Sequence, residues 1–199
     1  MRLYMAEIAS DFQFAKLHPD HLDVIYNLYA ENNSFYDEFL DRKILSANRD
    51  YCYEDFLEIL QDDKVFGFVL TERIPFQEHN KNANYYSSDI IYTPIIRGFL
   101  VYEITGNPQY YNILFIESEF NNVDYSIKLI NNLKNKLIDS KKSTAIKIEV
   151  FDTDIGYKKI PTLIHSKFSK IETLSSQKGP DVFIYEILKS DLDISPPAP

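Results

Sequence analysis

The sequence predicts an α+β domain, with a central, mostly antiparallel mixed sheet of six to seven strands flanked by four helices. Three observations carry that expectation. Six short segments rich in Val, Ile, Phe and Tyr alternate in polarity or run continuously apolar, as strands do. One long segment, Val123 to Leu137, repeats its apolar residues in steps of 4, 3, 3 and 4, the period of a helix. The order also matters: three strand segments come in succession, and the strands after them are separated by helical segments. A run of antiparallel strands followed by a right-handed crossover fits that order.

Taken along the chain, Phe12-Gln13-Phe14-Ala15-Lys16-Leu17 alternates and reads as the first strand. His18-Pro19-Asp20 opens a helix, with proline suited to its first turn, and Leu22, Ile25 and Tyr29 line one face. A second helix carries Tyr53, Phe56, Leu57 and Leu60, with Asp50 as its expected N-cap. Val65 to Leu70, Ile95 to Tyr102 and Tyr111 to Ile116 are three strands, the last two joined through the turn residues Thr105-Gly106-Asn107-Pro108. The amphipathic helix from Val123 follows, with Lys134, Lys136, Lys141 and Lys142 near its C-terminus, where the dipole favours cations. Ala145 to Phe151 is a strand, Ile160 to Phe168 a short helix beginning beside Pro161, and Val182 to Leu188 the final strand. Residues 74–93 form a polar insert rich in Asn, Tyr and Ser, long enough to suggest function or disorder. The chain is read as one domain over 1–189, with 190–199 a frayed, Pro-rich tail.

The 199 residues carry 30 acidic against 21 basic side chains, a net charge of −9. That balance argues against nucleic acid as a partner, since phosphate binding needs clustered cations. No apolar run approaches the roughly 20 residues of a membrane helix, and Met1 to Glu7 lacks the long apolar run of a signal peptide. A single cysteine, Cys52, forms no internal disulfide, so a reducing, cytoplasmic setting is expected. With no cation or His beside it in sequence, Cys52 reads as a small buried or half-buried residue rather than a nucleophile. Phosphate-cradling G-x-x-x-x-G-K-[ST], G-x-S-x-G and C-x-x-C motifs are absent, and the chain has only 5 glycines. His18 and His21 have a spacing that permits two metal ligands on one helix face, but His18 stands before a proline at a helix start, a capping position. No metal is expected.

The segment Ile116-Glu117-Ser118-Glu119-Phe120-Asn121-Asn122-Val123-Asp124-Tyr125-Ser126-Ile127-Lys128-Leu129-Ile130 stands between the fourth strand and the long helix. By its place and by the order of elements over residues 10 to 189, the chain resembles the GNAT superfamily of N-acyltransferases. That family keeps its acyl-CoA loop, R/Q-x-x-G-x-G/A, at this junction. Here the pattern's Arg/Gln falls on Asn121, its first glycine on Asp124 and its final Gly/Ala on Ser126, so the loop is glycine-free. Leu163-Ile164-His165-Ser166-Lys167-Phe168 stands in the place of the family's Tyr-x-x-x-Gly-Phe and keeps the phenylalanine. The resemblance implies acetyl-CoA or another acyl-CoA as donor, bound by Ile116, Asn121, Asn122, Val123, Asp124, Tyr125 and Ser126. It implies a small-molecule or peptide primary amine as acceptor.

Acyl transfer to an amine needs a group to take the ammonium proton and one to protonate the leaving thiolate. Glu117 and Glu103, at the ends of the fourth and third strands, are the candidate catalytic carboxylates. The family's tyrosine falls on Leu163, which cannot donate a proton, and the nearest preceding tyrosine is Tyr157. The acidic aromatic stretch Tyr36 to Asp41 would suit a cationic acceptor, or be only the solvated end of an amphipathic helix. Two functions therefore stand: a divergent acyl-CoA-dependent N-acyltransferase, and a catalytically inactive GNAT-like module that binds a partner.

Overall fold

The computed structural model describes residues 11–34, 52–76, 91–152, 154–175 and 180–192. Within them the elements are β1 (Asp11–Lys16), α1 (Leu22–Ser34), α2 (Tyr53–Gln61), β2 (Val65–Phe76), β3 (Ile91–Thr105), β4 (Gln109–Ser118), α3 (Val123–Asp139), β5 (Ser143–Phe151), α4 (Asp154–His165), β6 (Ser169–Leu174) and β7 (Val182–Leu188). The described strands form one seven-stranded sheet, in the order β1-β2-β3-β4-β5-β7-β6. Neighbours are antiparallel except β4 and β5, which are parallel and joined through α3. The α+β class and the mixed sheet are those the sequence predicts.

Both faces of the middle strands are covered, which is why Phe99 to Tyr102 is apolar without a break. Phe68 and Leu70 of β2 and Leu100 and Tyr102 of β3 face Leu129, Ile130, Leu133 and Leu137 of α3. The alternate residues Val69, Phe99 and Val101 face Leu22, Ile25 and Leu28 of α1 and Phe56 of α2. The Phe56 ring stacks on Phe115 of β4, with centroids 4.5 Å apart. Burying each such side chain contributes about 1.5–3 kcal/mol.

Several expectations need correction. The buried stripe of α3 takes Leu129 in place of Val123, which is exposed, and Ile127, which is half-buried. The N-cap of α2 is Cys52, exposed rather than buried, whose amide donates to Asp55 Oδ2 at 2.9 Å. β2 and β3 extend into the polar insert, pairing Ile74 with Thr93 and Phe76 with Ile91. Residues 77–90 lie outside the described residues, as does the acidic stretch 36–41. The helix α4 starts at Asp154, six residues before Ile160, and runs through Pro161, whose fixed φ is helical even though its missing amide forfeits a backbone bond. β6 was not expected at all. Both its faces are exposed, and a register shift between Lys170 and Glu172 breaks its alternation.

His18 and His21 act as caps. The His18 amide donates to His21 Nδ1 at 3.2 Å and the Asp20 amide donates to His18 Nδ1 at 3.4 Å. Among the described residues no group of three His, Cys, Asp or Glu side chains is placed to hold a metal ion. Past β7, Lys189–Asp191 forms a 3-10 turn, and the Lys189 ammonium donates to the carbonyls of Ile138 and Ser140 at 2.7 and 2.6 Å. It thereby satisfies the carbonyl end of α3. The rest of the expected tail, 193–199, lies outside the described residues. No described helix is long and apolar enough to cross a membrane.

Candidate functional site

The site begins with an extra residue in β4. Opposite β3, Val101 pairs with Phe115 but Tyr102 pairs with Ile113, so Leu114 is bulged out. A bulge bends its strand and ends pairing on the far side. The ladder between β4 and β5 closes at Ile113–Ile148, although β4 continues to Ser118 and β5 to Phe151. The two strands part there, and a small cleft open to solvent lies along the end of β4. Ile116 and Ser118 of β4, Asn121 of the loop, Ser126 of α3, and Lys159 and Leu163 of α4 line it.

The loop at its mouth is tightly tied. Phe120 and Asn121 take left-handed φ values of 54° and 52°, a conformation that costs about 1–2 kcal/mol per residue for side chains other than Gly, Asn or Asp. On one side, Glu119 pairs with Arg97, whose Nε donates to Glu72 at 2.8 Å. Burial alone would lower the Arg97 guanidinium; the bonds and charges of Glu72 and Glu119 outweigh it and hold its pKa above the usual value. On the other side, the buried Ser118 hydroxyl donates to the Asn122 carbonyl at 2.9 Å and lies 3.0 Å from the Ser126 hydroxyl. Gly98 lets β3 pass beneath, since a Cβ there would sit 2.8 Å from the Glu117 carbonyl oxygen.

At the head of α3 several amides are occupied from within. Asn122 Oδ1 accepts from the amides of Asp124 and Tyr125 at 2.9 and 3.2 Å. The amide of Asn122 donates to Glu119 O and that of Ser126 to Asn122 O, each at 3.1 Å. Of the residues predicted from the resemblance, Ile116, Asn121 and Ser126 line the cleft and Asn122 caps the helix beside it. Val123 and Asp124 are exposed, and Tyr125 packs on Phe12 with ring centroids 5.7 Å apart.

Glu117 stands at the open end of β4, only 3% exposed. Asn32 Nδ2 of α1 donates to its Oε2 and Lys159 Nζ of α4 to its Oε1, both at 2.8 Å. Three elements thus meet on one carboxylate. Glu103 does not join them: β3 and β4 are antiparallel, so their C-terminal ends point to opposite ends of the sheet. Glu103 pairs across from Asn112, which donates to it at 2.9 Å. Glu117 pairs across from Phe99, roughly 15 Å farther along β4 at the usual rise per residue. The side chain of Tyr157 lies outside what the structure describes. Sequence reasoning missed Lys159, Asn32 and Ser118. One signal was available: a carboxylate following Ile113-Leu114-Phe115-Ile116 in a buried strand must find a donor.

The end of α4 completes the cleft wall. The Phe168 amide donates to Leu163 O and the Lys167 amide to Ile164 O, both at 2.9 Å. This is a Schellman turn with Lys167 at the left-handed position, φ 62°. Leu163 and Phe168 are both buried. No protein-family model matches the chain, and no curated protein matches it. Solved structures do. Arabidopsis thaliana NAA60 in complex with acetyl-CoA is similar at a TM-score of 0.61 and 11% identity, over 90% of this chain and 99% of that one. Spermidine N-acetyltransferase of Vibrio cholerae, in complex with CoA and spermine, is similar at 0.56 and 16%, over 90% and 96%. A Desulfovibrio desulfuricans protein assigned to the GNAT family is similar at 0.59 and 10%, over 90% and 99%.

The chain has the GNAT fold. Its β4–α3 junction and its Schellman turn stand at the two places where the GNAT patterns fall in the sequence. The turn keeps the backbone conformation of the pattern's glycine with a lysine in its place. The junction keeps the place but carries Asp124 and Ser126 where the pattern has small residues.

Proposed function

We propose that the chain is a GNAT-type N-acyltransferase that moves an acyl group from acetyl-CoA or another acyl-CoA to the primary amine of a small molecule or peptide in the cytoplasm. The cleft beside the parted strands, with Lys159 reaching from it to the buried Glu117, is the observation that carries this reading. The ligands of two fold neighbours, acetyl-CoA in one and CoA with spermine in the other, are of the proposed classes.

Acyl-CoA enters as a substrate. Beyond Ile113 the β4 backbone has no β5 ladder, so at Ile116 it is available to pair with the amide-bearing arm of the donor as an added strand would. The pyrophosphate takes the head of α3, where amides and dipole favour negative charge. The Asn122 carboxamide turns aside to release the amides of Asp124 and Tyr125. Glu117 accepts the proton of the acceptor ammonium. The amine nitrogen then bonds to the thioester carbon, and the carbon–sulfur bond breaks. The nitrogen gives up its second proton to solvent as the amide forms; Leu163 supplies no proton, so the thiolate takes its proton from solvent.

Calorimetric titration with acetyl-CoA and a longer acyl-CoA tests this reading. Micromolar binding, weakened at least tenfold by Ser126→Trp, supports it. No heat at millimolar ligand overturns it. A second reading, an inactive GNAT-like module, is favoured by the Asn122 cap on the loop amides and by the Lys159 ammonium already seated on Glu117. That reading gains from the same null titration.

A further inference from the structure

Lys159 is the feature of the cleft that neither GNAT pattern explains. Its side chain is 28% exposed, its Nζ lies 2.8 Å from Glu117 Oε1, and it lines the cleft beside Ser118 and Ser126. The other Glu117 oxygen is taken by Asn32. A primary ammonium therefore stands on Glu117 Oε1, the carboxylate oxygen that Asn32 leaves open, where an acceptor amine must give up its proton under the reading above. The neighbouring nucleophiles are less suited. The Ser118 and Ser126 hydroxyls are bonded to each other, and Lys134 is held on the carbonyl of Ser166, away from the carboxylate.

We propose that Lys159 is itself an acyl acceptor, so that the chain acylates its own α4 in the cleft. The inference rests on the acyl-CoA reading given above. An acyl-CoA filling the cleft displaces water, which disfavours the ion pair and favours transfer of a proton from the Lys159 ammonium to Glu117. The uncharged Nζ bonds to the thioester carbon and the carbon–sulfur bond breaks, giving an Nε-acyl-lysine and the CoA thiol. The nitrogen gives up two protons in all: one ends on the departing sulfur and the other leaves through Glu117 to solvent. No oxidant or further reactant is needed. The product has no remaining nucleophile at that atom, so the step runs once per chain. It also replaces the Lys159–Glu117 ion pair by a neutral contact.

The test is to incubate the folded full chain with acetyl-CoA and no added amine. Intact mass and peptide mapping are read over time, alongside release of the CoA thiol. The expected result is one acetyl group per chain, on Lys159, with a matching single burst of thiol. Lys159→Arg, which keeps the charge on Glu117, abolishes the mass increase. Glu117→Gln slows it at least tenfold, and unfolding the chain in urea removes its site selectivity. Circular dichroism of both variants establishes that they fold. Acetyl-CoA that binds by calorimetry yet leaves Lys159 unmodified overturns this inference and spares the acyl-CoA reading. So does acetylation at the same rate in the urea-unfolded chain. Absence of any binding overturns both.

Discussion

At the end of α4, Lys167 holds a left-handed φ of 62°; between β4 and α3, Phe120 and Asn121 hold 54° and 52°. Both turns lie where the GNAT patterns call for glycine and this chain has none, yet they are built differently. In the first, the residue at the glycine position is itself left-handed. Two backbone bonds from Lys167 and Phe168 fix it, and the buried Phe168 anchors it. A glycine there serves only to reach positive φ, and a lysine does so at a modest energetic penalty. In the second, the left-handed residues precede the glycine positions, since Asp124 and Ser126 lie inside the first turn of α3. Helical φ suits any residue. Glycine at those positions would therefore serve to keep side chains out of the way of a ligand. A missing glycine means tolerable strain in one turn and altered ligand chemistry in the other.

Truncating the anchors breaks the comparison most directly. Phe168→Ala is expected to destabilise the fold by about 3–5 kcal/mol, as deletion of a buried aromatic does. Phe120, at the other turn, is 88% exposed, and Phe120→Ala is expected to stay within about 0.5 kcal/mol. Urea unfolding of the two variants measures both. Equal losses would show that the exposed ring has a folding role that its contacts do not explain.

The next largest effect falls on the tie of the β4–α3 turn. Ser118→Ala removes the donor to the Asn122 carbonyl and the partner of the Ser126 hydroxyl inside the protein. A loss of about 1–3 kcal/mol is expected from the groups left unsatisfied. The corresponding test at the α4 turn is Ser166→Ala. The Ser166 hydroxyl is buried without a hydrogen-bond partner among the described residues, so its removal is expected to be neutral or mildly stabilising. A larger loss from Ser166→Ala than from Ser118→Ala would reverse the comparison.

The α3 cap separates stability from ligand binding. Asn122→Ala removes the acceptor of the Asp124 and Tyr125 amides, and a cap of this kind contributes about 0.5–2 kcal/mol. The same change exposes those amides to a pyrophosphate. Thermal stability is expected to fall while acyl-CoA affinity holds or rises. If affinity falls with stability, Asn122 contacts the ligand directly.

How far each turn was legible follows from the range of the interactions that build it. The strands β2 to β4 and the helix α3 could be read from local periodicity, because one or two buried faces impose it. β6 escaped because nothing buries either of its faces. Residues 163–168 could be placed because a Schellman turn is local in sequence. The cleft was legible only through the family resemblance, which put Ile116, Asn121 and Ser126 on it; nothing in the residues themselves showed it. Its opening depends on a bulge at Leu114, and no alternation within β4 distinguishes a bulged residue from a paired one. Its chemistry depends on Asn32 and Lys159, which are 85 and 42 residues from Glu117. The separation of Glu103 from Glu117 has the same origin: both carboxylates lie near strand ends, but only the antiparallel register shows that the ends are opposite.

The smallest expected effect is the sharpest test of what the missing glycines mean. Lys167→Gly relieves the left-handed strain at the α4 turn while loosening the unfolded chain, and the net gain expected is about 0.5–1 kcal/mol. Asp124→Gly at the other turn has no strain to relieve. It places glycine in the first turn of a helix and removes an acidic residue that suits the dipole, so a loss of about 0.5–1 kcal/mol is expected. Against acyl-CoA the order inverts. Removing the Asp124 carboxylate from the phosphate-facing end of α3 should tighten binding severalfold and make it less sensitive to salt, because a like charge no longer opposes the ligand. Lys167→Gly should leave affinity where it was. Opposite signs in stability, with a binding change confined to Asp124→Gly, would establish that one glycine position governs backbone conformation and the other governs access to the anion. Gains in stability from both changes would mean that the β4–α3 turn is strained at Asp124 as well, and that the two turns are alike after all.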